Sequence, residues 1–331
     1  MRVALRGVLL VRADLGGQLY RYRGNYATYL TVREQNTTAA MKKQHAQDVK
    51  IKKDRKAAQK NAGGKLGARK KSDMEKTQKE RVEIVMDEKA PHFKFPDVGA
   101  KQETAVLKFD DVSYGYNEGR PVVKNLSFGI YMDSRIALVG ANGTGKSTIM
   151  KLMSGELKPE AGSVVGSSHL RVVKYDQHAE EKLDLEATCV EWLQRNSRDF
   201  VGGEPEYRKF LGKFGLHGQL ALQKIGTLSG GQKARLVFAT LASQGPHLML
   251  LDEPSNHLDI FAIAALTEGL QHYGGGLVVI SHNTKILSQC CNQTWVVHDK
   301  TVTMHEGSFD DYKQSIIATL MSAHDDSSDE K

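Results

Sequence analysis

Cysteine, tryptophan and proline are scarce in this chain of 331 residues, with three, two and seven of each. The cysteines, Cys189, Cys290 and Cys291, have no metal-ligand spacing and no disulfide framework, and the adjacent pair reads as packing in a reducing compartment. Long hydrophobic runs are also missing. The longest are pieces such as Leu248-Met249-Leu250-Leu251, far short of the ~20 apolar residues of a membrane-spanning helix. That counts against an integral membrane protein. Met1–Arg12 has three arginines and no acid, but its run Val8–Val11 is too short for the core of a secretory signal. At most it is a weak transit peptide.

Charge is present in quantity and unevenly spread. The net charge of +7 conceals three blocks: six basic and two acidic residues in 1–41, fifteen and five in 42–81, and 25 and 32 in 82–331. The middle block alone, at +10, exceeds the net charge of the whole chain. This is a basic arm on a slightly acidic body. The length suggests about two domains.

Residues 33–60 are rich in Lys, Ala, Gln and Arg, lack Pro and Gly, and read as a polar helix. Asn61–Gly67 reads as a turn, residues 68–89 resume the helical composition, and Pro91 ends it. The expectation is a projecting basic hairpin, weighed against a flexible charged linker. From residue 104 short β-rich runs alternate with helical stretches. The runs are Val106–Phe109, Leu126–Tyr131, Arg135–Val139, Leu170–Tyr175, Leu248–Asp252, Leu277–Ser281 and Trp295–His298. Helices are expected at 147–155, 186–195, 205–214, 230–243, 260–272 and 284–291. The pattern predicts an α/β domain with a mostly parallel sheet and an early antiparallel portion. The apolar-free stretch Asp325–Glu330 predicts a disordered acidic tail.

One internal echo stands out. Gly24, Tyr26 and Tyr29 match Gly307, Phe309 and Tyr312 in spacing, each set preceded by an alternating strand. Either the match is chance, or residues 8–29 are the end of a preceding copy of the same domain.

Three motifs carry chemistry. Gly140-Ala141-Asn142-Gly143-Thr144-Gly145-Lys146-Ser147 fits the phosphate-loop pattern, between the strand Ile136–Val139 and a helix opening at Thr148. Its glycines let backbone N–H groups cradle phosphate at a positive helix end. Lys146 would reach the β- and γ-phosphates and Ser147 would ligate Mg²⁺. About a hundred residues on, the apolar run Leu248–Leu251 ends in Asp252-Glu253. Asp252 can hold Mg²⁺ through water, and Glu253 can act as general base on the attacking water. Alone, such a pair is equally a helix cap. Leu228-Ser229-Gly230-Gly231-Gln232 then opens the helix 230–243. Ser229, Gly230, Gly231 and Gln232 offer a second phosphate grip, or simply an N-cap. Two grips for one nucleotide suggest an ATP held between two domains.

In this order the motifs resemble an ATP-binding cassette (ABC) ATPase domain: a mostly parallel core sheet, an antiparallel β subdomain and a helical subdomain. The resemblance implies further roles. Tyr116 would stack on adenine, with neighbouring Tyr114 the weaker candidate. Gln177 would contact Mg²⁺ and the attacking water, Pro254–Asp259 would join two sites across a dimer, and His282 would touch the γ-phosphate. Catalysis would rest on Glu253, His282, Gln177 and Lys146. Nucleotide binding would rest on Tyr116, residues 140–148 and Ser229–Gln232, and Mg²⁺ on Ser147, Gln177 and Asp252. Glu253-Pro254-Ser255-Asn256-His257-Leu258-Asp259 and Tyr175-Asp176-Gln177-His178 narrow the resemblance to the ABC-F family. Those proteins join two ATPase domains by a charged helical hairpin and have no membrane domains. His92-Phe93-Lys94-Phe95-Pro96 and Met132–Gly143 resemble its eukaryotic general-amino-acid-control subgroup, which acts with a ribosome-bound partner to activate a kinase.

The resemblance implies a cytoplasmic ATPase acting on ribosomes, its hairpin meeting tRNA or rRNA. It divides the chain into 1–29, the remnant of a preceding ATPase domain; 30–100, the hairpin linker; 101–318, the ATPase domain; and 319–331, the tail. Few aromatics lie between residues 30 and 90, so contact with RNA backbone is favoured over base stacking. Asn283 departs from the family, which usually has Asp after the switch His. The larger departure is a single phosphate loop and a single signature, Leu228–Gln232, so the chain must dimerise with itself, pair with another ABC domain, or be a fragment. Three rivals remain. One is the ATPase subunit of a membrane transporter, against which the basic arm argues. Another is a chromosome-type ABC ATPase, against which the 84 residues between Gly145 and Ser229 argue. The last is a silent binding module.

Overall fold

A computed structural model divides the chain into two units, Met1–Asp87 and Glu88–Lys331. It describes residues 8–11, 19–22, 91–96, 98, 104–117, 119–198, 200, 202–305 and 307–326. The expected hairpin over 33–89 and the tail beyond Asp326 lie outside the described residues. In the first unit, β1 (Val8–Val11) pairs antiparallel with β2 (Leu19–Tyr22), with Val8 opposite Tyr22 and Val11 opposite Leu19.

The second unit runs β3 (Leu107–Asn117), β4 (Arg120–Ile130), β5 (Arg135–Val139), α1 (Lys146–Met153), β6 (Ala161–Gly166), β7 (Val172–Tyr175), α2 (Cys189–Asn196), α3 (Glu204–Lys213), α4 (Gly230–Ser243), β8 (Leu248–Asp252), α5 (Ile260–His272), β9 (Gly276–Ile280), α6 (Thr284–Cys290), β10 (Gln293–His298), β11 (Thr301–His305) and α7 (Phe309–Asp326). A six-stranded sheet has the order β11-β10-β5-β9-β8-β7. It is parallel except for β11, which returns antiparallel along β10. Strands β4, β3 and β6 form a separate antiparallel sheet.

The two-residue period of the strands divides the core in two. Leu248, Leu250, Val278, Ile280, Ile136 and Leu138 face α1 and the three-stranded sheet. Met249, Leu251, Leu277 and Val279 face the helices from α2 to α6. Burial on both faces explains why β8 reads as an unbroken apolar run rather than an alternation. Phe109 stacks on Phe128 at 4.5 Å within the three-stranded sheet, and the edge contact of Phe128 with Trp295 at 4.7 Å joins that sheet to the six-stranded one.

The fold class stands as expected, with local differences, among them an earlier start of β4 at Arg120. Strand β6 was missed because Ala161-Gly162-Ser163 has little β propensity; its pairing with β3 supplies the reason it exists. Strand β3 is longer than expected because register shifts break its alternation after Phe109. Helix α7 passes residue 318, the expected end of the domain, and runs to Asp326; the sequence Ile316–Ala323 contains only helix-tolerant residues and no Gly or Pro.

Residues 91–96, expected as the end of the linker, belong to the ATPase core. Phe93 and Phe95 are buried while His92 and Lys94 between them are exposed. The Phe93 ring lies 5.1 Å from Phe214 and 5.6 Å from Phe238, and Phe95 lies 5.9 Å from Tyr273. Gly269, inside α5, permits the approach: a Cβ there would stand 2.3 Å from the Phe93 carbonyl oxygen.

Candidate nucleotide site

Strand β5 delivers the chain at Val139 into a loop that only glycine can build. Gly140, Gly143 and Gly145 hold φ of 152°, 81° and 105°. A Cβ on Gly140 would meet the Val297 carbonyl oxygen at 2.5 Å. Gly145 caps α1 without any side-chain bond, which leaves the first amides of the helix for an anion. Thr144 Oγ1 donates to the Ala141 carbonyl at 2.9 Å and holds the turn. Lys146 Nζ donates to the carbonyls of Gly140 and Ala141, both at 2.8 Å. Burial pushes the Lys146 ammonium below its ordinary pKa, while Asp252 and Glu253 pull the other way.

Parallel pairing brings Gln177, the Asp252-Glu253 pair and His282 to the same sheet edge. Tyr175 lies opposite Leu251 and Asp252 opposite Ile280, so Gln177, Glu253 and His282 follow neighbouring strands out of the sheet. Ser147 Oγ donates to Asp252 Oδ2 at 2.9 Å. Glu253 adopts a left-handed φ of 51° while its N–H still donates to the Ile280 carbonyl at 2.8 Å. The strand thus ends in a kink at the acid that matters. The Glu253 carboxylate accepts the His282 N–H at 3.3 Å, and His282 Nε2 lies 3.5 Å from its other oxygen.

These side chains line one cleft of about 620 Å³. Its walls are Tyr116, Asn142, Gly143, Gly145, Lys146, Ser147, Thr148, Gln177, Asp252, Glu253 and His282, with Val122, Asn256 and Ile280. Gly140, Ala141 and Thr144 shape the loop through their backbone and are not in the wall. Tyr116 rather than Tyr114 faces the cleft; it is 53% exposed, and Tyr114 packs edge-on against it at 5.3 Å. Its hydroxyl lies 3.3 Å from Thr148 Oγ1, a link that pattern reading missed because the two residues are 32 apart in sequence.

Ser229, Gly230, Gly231 and Gln232 are not in this cleft. In the single chain they make the cap that was the alternative reading: Ser229 Oγ accepts the Gln232 N–H at 3.3 Å, and Gln232 Oε1 accepts the Ser229 N–H at 3.0 Å. They adjoin the 254–259 loop instead. A Cβ on Gly231 would lie 3.1 Å from the His257 carbonyl oxygen. Buried Arg235 pairs with Asp259, which also caps α5 through Ala262 N–H at 2.8 Å. Asn283, the departure from the family, caps α6 through the N–H groups of Lys285 and Ile286.

The donor set suits a nucleoside triphosphate with a hard divalent cation. It offers a glycine-built amide cradle, one cation already seated on backbone oxygens, and a hydroxyl–carboxylate pair of hard oxygens at Ser147 and Asp252.

Two family models, both described as ABC transporter, match residues 123–256 and 15–95. The chain is 41% identical over 237 residues to Protein GCN20 of Saccharomyces cerevisiae, covering 71% of this chain and 31% of the relative. It is 43% identical over 235 residues to ABC transporter F family member 3 of Arabidopsis thaliana, covering 70% and 32%. It is 36% identical over 316 residues to ATP-binding cassette sub-family F member 2 of Mus musculus, covering 92% and 49%. The chain thus spans about a third to a half of these curated relatives. In fold it resembles a cassette solved as a dimer in a post-hydrolysis state bound to ADP and Pi, with a TM-score of 0.52, 22% identity, and coverage of 61% of this chain and 98% of that one. It likewise resembles cbiO1 of Clostridium perfringens, at 0.52 and 22%, covering 67% and 96%. Among the described residues, no helix is long and apolar enough to cross a membrane. The motif set, the cassette fold and these relatives agree: the chain belongs to the ABC-F family of ATP-binding cassette proteins.

Proposed function

We propose that the second unit binds ATP with Mg²⁺ and hydrolyses it once a second cassette domain covers the cleft. The observation that carries this reading is a division. Lys146, Ser147, Gln177, Asp252, Glu253 and His282 converge on one cleft, while Ser229–Gln232 stand at another surface. That is half of each of two sites, as expected where a nucleotide is held between two domains.

Tyr116 supplies the adenine platform, steadied by Thr148 and Tyr114. The amides of residues 142–148 receive the phosphates, and Lys146 exchanges two carbonyls for phosphate oxygens. Ser147, Asp252 and Gln177 would hold Mg²⁺, which would neutralise charge on the phosphate oxygens. Glu253 takes the proton from the attacking water, and His282, already beside that carboxylate, faces the developing charge on the phosphoryl group. Ser229 and Gly231 of one domain would complete the site of the other, in a copy of the chain or another cassette chain.

The same reading extends to ribosomes. The +10 block at 42–81 suits RNA backbone, and the family resemblance directs it to tRNA or rRNA in a cytoplasmic ATPase of translation. Residues 1–29 read as the end of a preceding cassette domain. Support comes from the β1–β2 hairpin, which ends two residues before Gly24 as β11 ends two before Gly307. Changing Glu253→Gln tests the chemistry. ATP turnover should fall by about a hundredfold or more, the usual worth of a positioned base, while nucleotide binding persists. Unchanged turnover would remove Glu253 from the role.

A further inference from the structure

Strand β7 carries a lysine where its pattern calls for an aliphatic residue. Val173 and Tyr175 face the helical core, and Val172 packs into the opposite core beside α1. Lys174 shares the Val172 face, and only 8% of its side chain is exposed. A charge so placed needs partners. Its Nζ donates to both carboxylate oxygens of Glu156, at 2.6 and 2.7 Å, and lies 3.7 Å from Asp176. Glu156 also accepts Ser154 Oγ at 3.0 Å, and Ser154 ends α1. Asp176 accepts a second lysine, Lys182, and organises the loop that follows: its Oδ1 takes the His178 N–H at 3.2 Å and its carbonyl the Ala179 N–H at 3.0 Å. Burial disfavours charge on Glu156 and Asp176, yet their lysine partners outweigh it and hold both carboxyls below the ordinary range.

The chain of contacts is therefore Ser154, Glu156, Lys174, Asp176, with Gln177 next. It joins the far end of the phosphate-loop helix to the residue that enters the cleft from β7. Only the lysine end of this pair is buried, the Glu156 side chain being 45% exposed; well-packed apolar residues often replace buried charge without loss of stability, so fold stability alone does not account for the lysine.

We propose that Lys174 is a positioning residue that ties the Gln177 loop to the phosphate-loop helix. Movement of α1 on phosphate binding would then be passed to Gln177 through Glu156 and Asp176. The functional meaning rests on the reading of Gln177 as a Mg²⁺ ligand; the tie itself does not.

The test uses the full chain without nucleotide and Lys174→Met, which keeps length and apolar bulk. Hydrogen exchange at the His178 and Ala179 amides should quicken by about tenfold or more, with the melting temperature little changed. Lys174→Arg should restore protection, and Glu156→Gln, which leaves the lysine but removes its partner, should reproduce the loss. A fluorescent ATP analogue, titrated with and without Mg²⁺, gives the second readout: the strengthening by Mg²⁺ should shrink in Lys174→Met. Unchanged exchange at 178–179 in a folded Lys174→Met overturns the proposal. Faster exchange with an unchanged Mg²⁺ effect upholds the tie and rejects Gln177 as a ligand.

Discussion

Lys146 and His247 show how single side chains are set by the groups nearest them. Lys146 cannot stay without partners in a half-buried loop, so it takes two carbonyl oxygens of that loop. The bonds fold the loop tightly and keep the ammonium on the spot where phosphate oxygens would compete for it. His247, at the foot of β8, accepts the Arg171 N–H on Nδ1 at 3.1 Å. Burial first, then the neighbouring Arg171, push its pKa below 6.5, against a hydrogen bond to the His169 backbone that favours the charged ring. A histidine held neutral in this way stabilises the fold above its unfolded pKa of about 6.5. That contribution is lost as pH falls through the lower folded value. Urea midpoints should therefore drop between about pH 8 and pH 5. The drop should narrow in His247→Asn, whose amide oxygen can accept the same N–H without titrating. An equal drop in both proteins would place the acid sensitivity elsewhere.

At the scale of elements, the sequence was most legible where one local rule decides. The phosphate loop needs glycine at three left-handed positions, and the order strand, loop, helix follows from it. Helices α4 and α5 begin at the capping residues Ser229 and Asp259, which a pattern search can find. Legibility failed where a partner distant in sequence decides. Strand β6 exists because β3 offers it an edge. Segment 91–96 looked like linker because its Phe-x-Phe alternation carries no sign of its partners on α3, α4 and α5. Gly269 looked like an ordinary helix glycine for the same reason. Gly269→Ala measures that docking. Helix propensity alone would favour alanine by about 1 kcal/mol. The 2.3 Å approach of the Phe93 carbonyl should instead cost about 1–3 kcal/mol net. A fall in the urea midpoint is expected; a rise would show that the segment does not lean on α5.

At the scale of the molecule, the charge blocks would serve separate tasks under the proposed function. The acidic body carries the cleft, and the +10 block is the part suited to RNA. Half the candidate site was legible as a cleft and half as a cap, and only the fold shows that Ser229–Gln232 lie away from Lys146. This division follows from topology: the phosphate loop, Asp252, Glu253 and His282 leave the carboxyl edge of the parallel sheet, as ligand sites in such sheets do, whereas the signature opens a helix on the other core. Thus one body would serve two half-sites.

The central claim is that the 140–148 loop and the 252–253 acids form a site for ATP with Mg²⁺. Titration of the chain with a fluorescent ATP analogue in Mg²⁺, beside Lys146→Ala, tests it most directly. Saturable binding that weakens about tenfold or more without the Lys146 charge is expected. Equal affinity in the two proteins would contradict the account.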